Sequence, residues 1–174
     1  MKLPGRPKRR SIRLREYDYS QSGAYFVTVC VRNRECLLGE IAGGAMLMNR
    51  FGLATASTLE WLKERYAYVG LDEWIVMPNH VHAIILIDGR EVVSRTVREP
   101  PVKPLGSLVG AFKTVSSKKI KQMRGTAGQM VWQRNYYEHV IRSESELERI
   151  RDYIYSNPQA WVSDPENPTQ AAGL

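Results

Sequence analysis

The stretch DEWIVMPNHVHAIILI, residues 72–87, decides how this sequence is read. Two apolar runs rich in β-branched residues are broken at Pro78-Asn79, which predicts a pair of strands joined by a tight connection. Successive side chains of a strand point to opposite faces, so His80 and His82 share one face while Val81 anchors the other. Their backbones stand about 7 Å apart, and from there two imidazoles can converge on a metal ion or a phosphate. Such a pair is equally common as packing, yet two of the chain's three histidines occupy it.

Upstream, AYFVTVCVRN (24–33) is β-branched and aromatic and reads as a strand. CLLGEI and AMLMN, separated by Ala42-Gly43-Gly44, predict a short hairpin extending it. Residues 51–69 place Leu59, Leu62 and Tyr66 at helical spacing. Downstream, the prolines at 100, 101 and 104 make SRTVREPPVKP a loop. Leu105 to Met123 predicts a second helix, Val131 to Ile141 a strand, and Ser143 the start of a third helix. Ser143 with Glu146 is a capping box, Leu147, Ile150 and Ile154 form the buried stripe, and Asn157-Pro158 marks the end. This order predicts an α+β fold, a ferredoxin-like sandwich with a mostly antiparallel sheet and helices on one face.

The 174 residues suit one domain: a basic arm over 1–16, a body over 17–162 and a tail over 163–174. They are too few for a (β/α)8 barrel, which takes about 250. The longest apolar runs, such as 83–87, fall far short of the roughly 18 residues of a membrane span. No secretion signal is expected, and Cys30 and Cys36 form neither a disulfide framework nor a zinc knuckle. A reducing cytoplasm is the expected compartment.

Charge is segregated. The net charge is +7, and the first fifteen residues carry seven basic and no acidic side chains, so the other 159 sum to zero. From Lys103 to Arg142 eight basic residues face Glu138 alone. Two positive segments are the footprint of a polyanion partner, against the plainer reading of a solvated face and a solubilising tail. Lys8, Arg9, Arg10, Arg13 and Arg15 of the arm, with Lys113, Lys118, Lys119 and Arg134, are the expected phosphate contacts.

A nucleophile is harder to choose among nine tyrosines. Tyr153 stands out because Asn157 follows one helical turn later, and because it lies roughly 90° from the centre of the buried stripe. Both residues are also compatible with merely edging the core and ending the helix. Tyr137 and His139, two apart on a strand, are the rival pair.

Taken together, VMPNHVHAIILI (76–87), LGSLVGAFKT (105–114), VWQRNYYEHVIR (131–142) and RDYIYSNPQAW (151–161) resemble the REP-associated tyrosine transposases, relatives of the single-tyrosine HUH transposases of bacterial insertion sequences. The resemblance runs from residue 11 to residue 161. It implies that His80 and His82 are metal ligands, that Asn157 helps complete the metal site, and that Tyr153 is the nucleophile. It further implies Mg or Mn as cofactor, single-stranded DNA near a hairpin as substrate, a 5′-phosphotyrosine intermediate, and a monomer or homodimer. A non-catalytic nucleic-acid binder and a metal-dependent phosphohydrolase are the alternatives from other classes.

Overall fold

A computed structural model describes residues 21–89, 102–126, 128–164 and 166–168. The basic arm and most of the proline-rich loop lie outside these residues. Four strands form the main sheet: β1 (Gly23–Cys30), β4 (Val69–Val76), β5 (His80–Ile87) and β6 (Tyr137–Ile141). Their order is β4-β5-β1-β6, and every neighbouring pair is antiparallel. With α1 (Arg50–Arg65) between β1 and β4 and α2 (Leu105–Arg124) between β5 and β6, this is the split βαβ arrangement of a ferredoxin-like fold. The α+β class read from the sequence therefore holds.

Alternation along the two central strands divides the molecule. Tyr25, Val27 and Val29 of β1, with Val81, Ala83, Ile85 and Ile87 of β5, face a core closed by Leu59 and Leu62 of α1 and Leu105, Leu108 and Phe112 of α2. The even-numbered residues face the other way. There Phe26 and Ile84 pack against Ile154 of α3 (Glu144–Ala160). The expectation that the helices share one face is thus corrected, since α3 crosses the opposite face. The reason is visible in β5, which is apolar on both sides of the pleat and so needs cover on both.

A clamp fixes that crossing. Arg151 of α3 meets Asp72 of β4 with Nε to Oδ1 at 2.8 Å and Nη2 to Oδ2 at 2.6 Å, a bidentate pair. Asp72 sits where the β4 register shifts between Leu71 and Trp74. The guanidinium holds the Asp72 carboxyl below the usual carboxylate range. At the start of α3, the Ser143 hydroxyl accepts from the Glu146 amide at 3.2 Å, as the capping signature predicts. The Glu146 carboxylate reaches back to the Arg142 amide at 2.8 Å and to His139 Nε2 at 2.7 Å.

Three boundaries differ from the sequence reading. The hairpin, β2 (Gly39–Ala42) and β3 (Ala45–Met48), forms its own sheet instead of extending β1, turning through Gly43 and Gly44 at φ of 58° and 75°. The strand expected from Val131 begins only at Tyr137. Val131 and Trp132 are drawn away, Trp132 by a bridge to Val31 and an indole bond to Ser116 Oγ of α2 at 2.9 Å. Finally, α3 runs through Pro158 to Ala160, because a proline one turn from the helix end forfeits a single backbone bond.

Candidate active site

Register builds the site. Thr28 pairs with His82 across β1 and β5, and Thr28 pairs with Tyr137 across β1 and β6, so these side chains form one row on the α3 face. His80 and His82 are both buried there, with their Nε2 atoms 3.0 Å apart. Tyr153 descends from α3 and brings its hydroxyl to 3.3 Å from His82 Nε2. Phe26 stacks on His82 at 5.4 Å and meets the Tyr153 ring edge-on at 6.1 Å. Asn157, one turn along α3, is buried, and its Oδ1 has no hydrogen-bond partner.

The tautomer of His80 is set from behind. Asn79 Nδ2 donates to the carbonyls of Arg34 at 3.1 Å and Glu166 at 2.7 Å, which turns Oδ1 toward His80 Nδ1 at 2.8 Å. That oxygen only accepts, so Nδ1 of His80 carries the proton and Nε2 presents a lone pair to the centre. His82 Nδ1 lies 2.9 Å from the Thr28 hydroxyl, a group able to donate or accept and so to support either tautomer. Burial lowers the His80 pKa to about 4, partly opposed by Asp164. Burial, and then the neighbouring His80, push His82 well below its ordinary value. Both rings are therefore neutral near pH 7, the form that ligates metals.

Asp164 completes the cluster. Its carboxylate Oδ2 lies 4.0 Å from His80 Nε2, and one donor atom each from His80, His82 and Asp164 fall within 4.8 Å of one another. The residue follows a single 3-10 turn, Trp161–Ser163, that folds the chain back from α3. Asp164 Oδ1 accepts from the Glu166 amide at 2.7 Å, and Glu166 in turn pairs with Arg34 Nε at 3.0 Å. The sequence reading leaves this segment in the tail. A polar cluster D-P-E-N after a helix end was the available signal, but which face it returns to depends on tertiary structure.

Around the cluster opens a cleft of about 430 Å³ lined by Phe26, His82, Asn135, Tyr137, Tyr153 and Asp164, among others. Tyr153 is half-exposed within it. Burial, and then Asp164, raise its phenol pKa above the usual value, while a hydrogen bond from Asn157 works the other way. Unassisted, this phenol stays protonated.

Of the remaining expected site residues, the five arm residues lie outside the described part. Lys113 is not a free cation, because its Nζ donates to the carbonyls of Gln133, Arg134 and Asn135 at 2.9, 3.3 and 3.0 Å, and burial lowers its pKa to about 8. Lys119 reaches Ser57 of α1 at 3.1 Å. Lys118 and Arg134 are exposed and line a groove with Lys121 beside the cleft. No helix among the described residues is long and apolar enough to cross a membrane.

Comparison with known proteins bears on the family and the fold. The family described as Transposase IS200 like is matched by residues 54–157. An uncharacterized protein of Haemophilus influenzae is 37% identical over 169 residues, covering 90% of this chain and 91% of that one. A REP-associated tyrosine transposase of Escherichia coli is 27% identical over 148 residues, covering 83% of this chain and 72% of its own. Among solved structures, a REP-associated tyrosine transposase bound to a REP hairpin superposes with a TM-score of 0.59 at 23% identity, over 86% of this chain and 73% of that chain, which bears on the fold. The matched residues span both histidines, Tyr153 and Asn157, and the chain belongs to the IS200-like transposase family, the kinship its motifs carried.

Proposed function

We propose that this transposase cleaves and rejoins single-stranded DNA near hairpins, with Tyr153 as nucleophile and a divalent cation at His80 and His82. The observation that carries this reading is the approach of the Tyr153 hydroxyl to 3.3 Å from His82 Nε2 within a buried pair of neutral imidazoles. The donor set fits a cation such as Mn or Mg: two imidazole nitrogens, the unpartnered buried oxygen of Asn157, and the Asp164 carboxylate beside them. A cation bound there would offset charge on a non-bridging oxygen of the scissile phosphate. The chain itself does the remainder. Phe26 and Ile154 hold α3 so that the phenol points over the histidines, and Asn157 orients the phenol oxygen. The Tyr153 oxygen bonds to phosphorus, the phosphorus to 3′-oxygen bond breaks, the phenol proton passes to water on the open side of the cleft, and the departing 3′-oxygen takes a proton from that water. The product is a 5′-phosphotyrosine and a free 3′-hydroxyl, so the energy of the ester is kept and no nucleotide cofactor is consumed.

The hairpin as substrate is supported by the hairpin complex of the structural neighbour, and by the exposed cations Lys118 and Arg134, with the half-buried Lys121, near the cleft. Only two residues separate β6 from α3, which packs through Ile154 on the sheet that carries the histidines, and this short connection favours cleavage in cis. Incubation with labelled single-stranded hairpin DNA and manganese tests it. A denaturant-resistant adduct is expected with the cation and none in excess chelator, and hydrolysis without an adduct would favour a phosphohydrolase.

A further inference from the structure

We propose that Tyr137 is a stacking platform for the nucleobase next to the scissile phosphate, an inference that rests on the strand-transfer reading of the cleft. Tyr137 stands in the row His82, Thr28, Tyr137, two strand spacings or about 10 Å from His82 along the floor of the site. It lines the cleft together with Tyr153. The Phe26 ring separates them, meeting Tyr153 edge-on at 6.1 Å and Tyr137 at 6.2 Å. Phe26 itself is buried, whereas Tyr137 is 51% exposed and its hydroxyl makes no hydrogen bond among the described residues.

A single exposed aromatic needs no explanation by itself. This one is held rigidly at the mouth of a reactive cleft. On its N-terminal side Lys113 ties down three successive carbonyls, those of residues 133–135, and Tyr137 itself enters the ladder opposite Thr28. A flat ring, half exposed and carried on a pinned backbone, suits a flat π partner. In a site for single-stranded DNA that partner is a base, which stacks at small cost in ordering because the platform already stands in place. The stack would orient the nucleotide without choosing among bases by hydrogen bonds.

The test uses the full chain carrying Tyr153→Phe, in chelator, with hairpin DNA bearing 2-aminopurine at successive positions around the cleavage site. Quenching is expected at one position beside the scissile bond. Adding Tyr137→Ala or Tyr137→Leu should remove that quench and weaken binding about tenfold or more, while Tyr137→Phe retains both. The leucine variant keeps apolar volume on the strand, and thermal melts confirm that each variant is folded. Equal affinity and quench in the Ala, Leu and parent proteins would overturn the platform, as would a Phe variant as weak as Ala. Adducts formed by the chain with Tyr153 restored, with a quench indifferent to Tyr137, would sink the platform and leave the chemistry standing. A Tyr137-dependent quench without any adduct would uphold the platform and sink the chemistry.

Discussion

The hydroxyl of Tyr153 lies 3.3 Å from Nε2 of His82, across 71 residues of chain. The two elements that carry them meet because α3 packs on the face of the sheet that α1 and α2 leave open. Arg151 is bound to Asp72 two residues before Tyr153, so the helix cannot rotate without breaking a bidentate pair.

Because α3 is joined to β6 by only two residues and packs on the same sheet, complementation should fail. A mixture of His80→Ala and Tyr153→Phe proteins is expected to yield no adduct at any mixing ratio. Adduct approaching a quarter or more of the wild-type yield would show that α3 serves a partner's site.

Asn79 and Thr28 orient the two imidazoles from behind. Asn79→Ala and Thr28→Val should each raise the manganese concentration for half-maximal adduct formation by about 10- to 100-fold. Asn79→Ala also leaves two backbone carbonyls without their donor and should lower stability by about 1–3 kcal/mol. A lower melting temperature with an unshifted manganese requirement would reduce Asn79 to a structural role.

Ile154 is buried against Phe26 and Ile84 on the site face. Ile154→Ala should cost about 2–4 kcal/mol in denaturant unfolding, through lost burial and the cavity left behind. A cost below 1 kcal/mol would mean that α3 is not docked as described.

Cys30 reports whether Glu166 folds over the site. Burial, and then the Glu166 carboxylate, push its thiol up to about 12, and Sγ lies 3.6 Å from Glu166 Oε2. A thiol with a raised pKa is mostly protonated below that value, so its alkylation should keep accelerating with pH well past 9. At pH 8 the exposed Cys36 should react first, and Glu166→Gln should speed Cys30. Equal rates for both thiols, unchanged by Glu166→Gln, would place Glu166 elsewhere.

Much of this was legible because local rules and tertiary demands coincide. Period-2 alternation placed His80 and His82 on one face, and the capping box placed the start of α3 to the residue. What failed was non-local. Nothing in the pattern of α3 says which face of the sheet it covers, and Val131-Trp132 reads as strand until Ser116 captures the indole. Asn79 reads as a turn residue, and only the carbonyls of Arg34 and Glu166 make it the group that fixes a histidine tautomer. Asp164 was invisible for the same reason. Lys113 shows a further limit, since a basic residue on a basic segment suggests a phosphate contact and gives no sign that its ammonium also meets three carbonyls.

Mapping the covalent bond decides whether Tyr153 is the nucleophile. Protein trapped on single-stranded hairpin DNA with manganese is digested, and the nucleotide-bearing peptide is identified by mass spectrometry. Modification is expected on Tyr153, with no adduct from Tyr153→Phe, a change that removes one oxygen and should leave the fold within about 1 kcal/mol of the parent. An adduct that survives Tyr153→Phe, or that maps to Tyr137, would contradict that assignment.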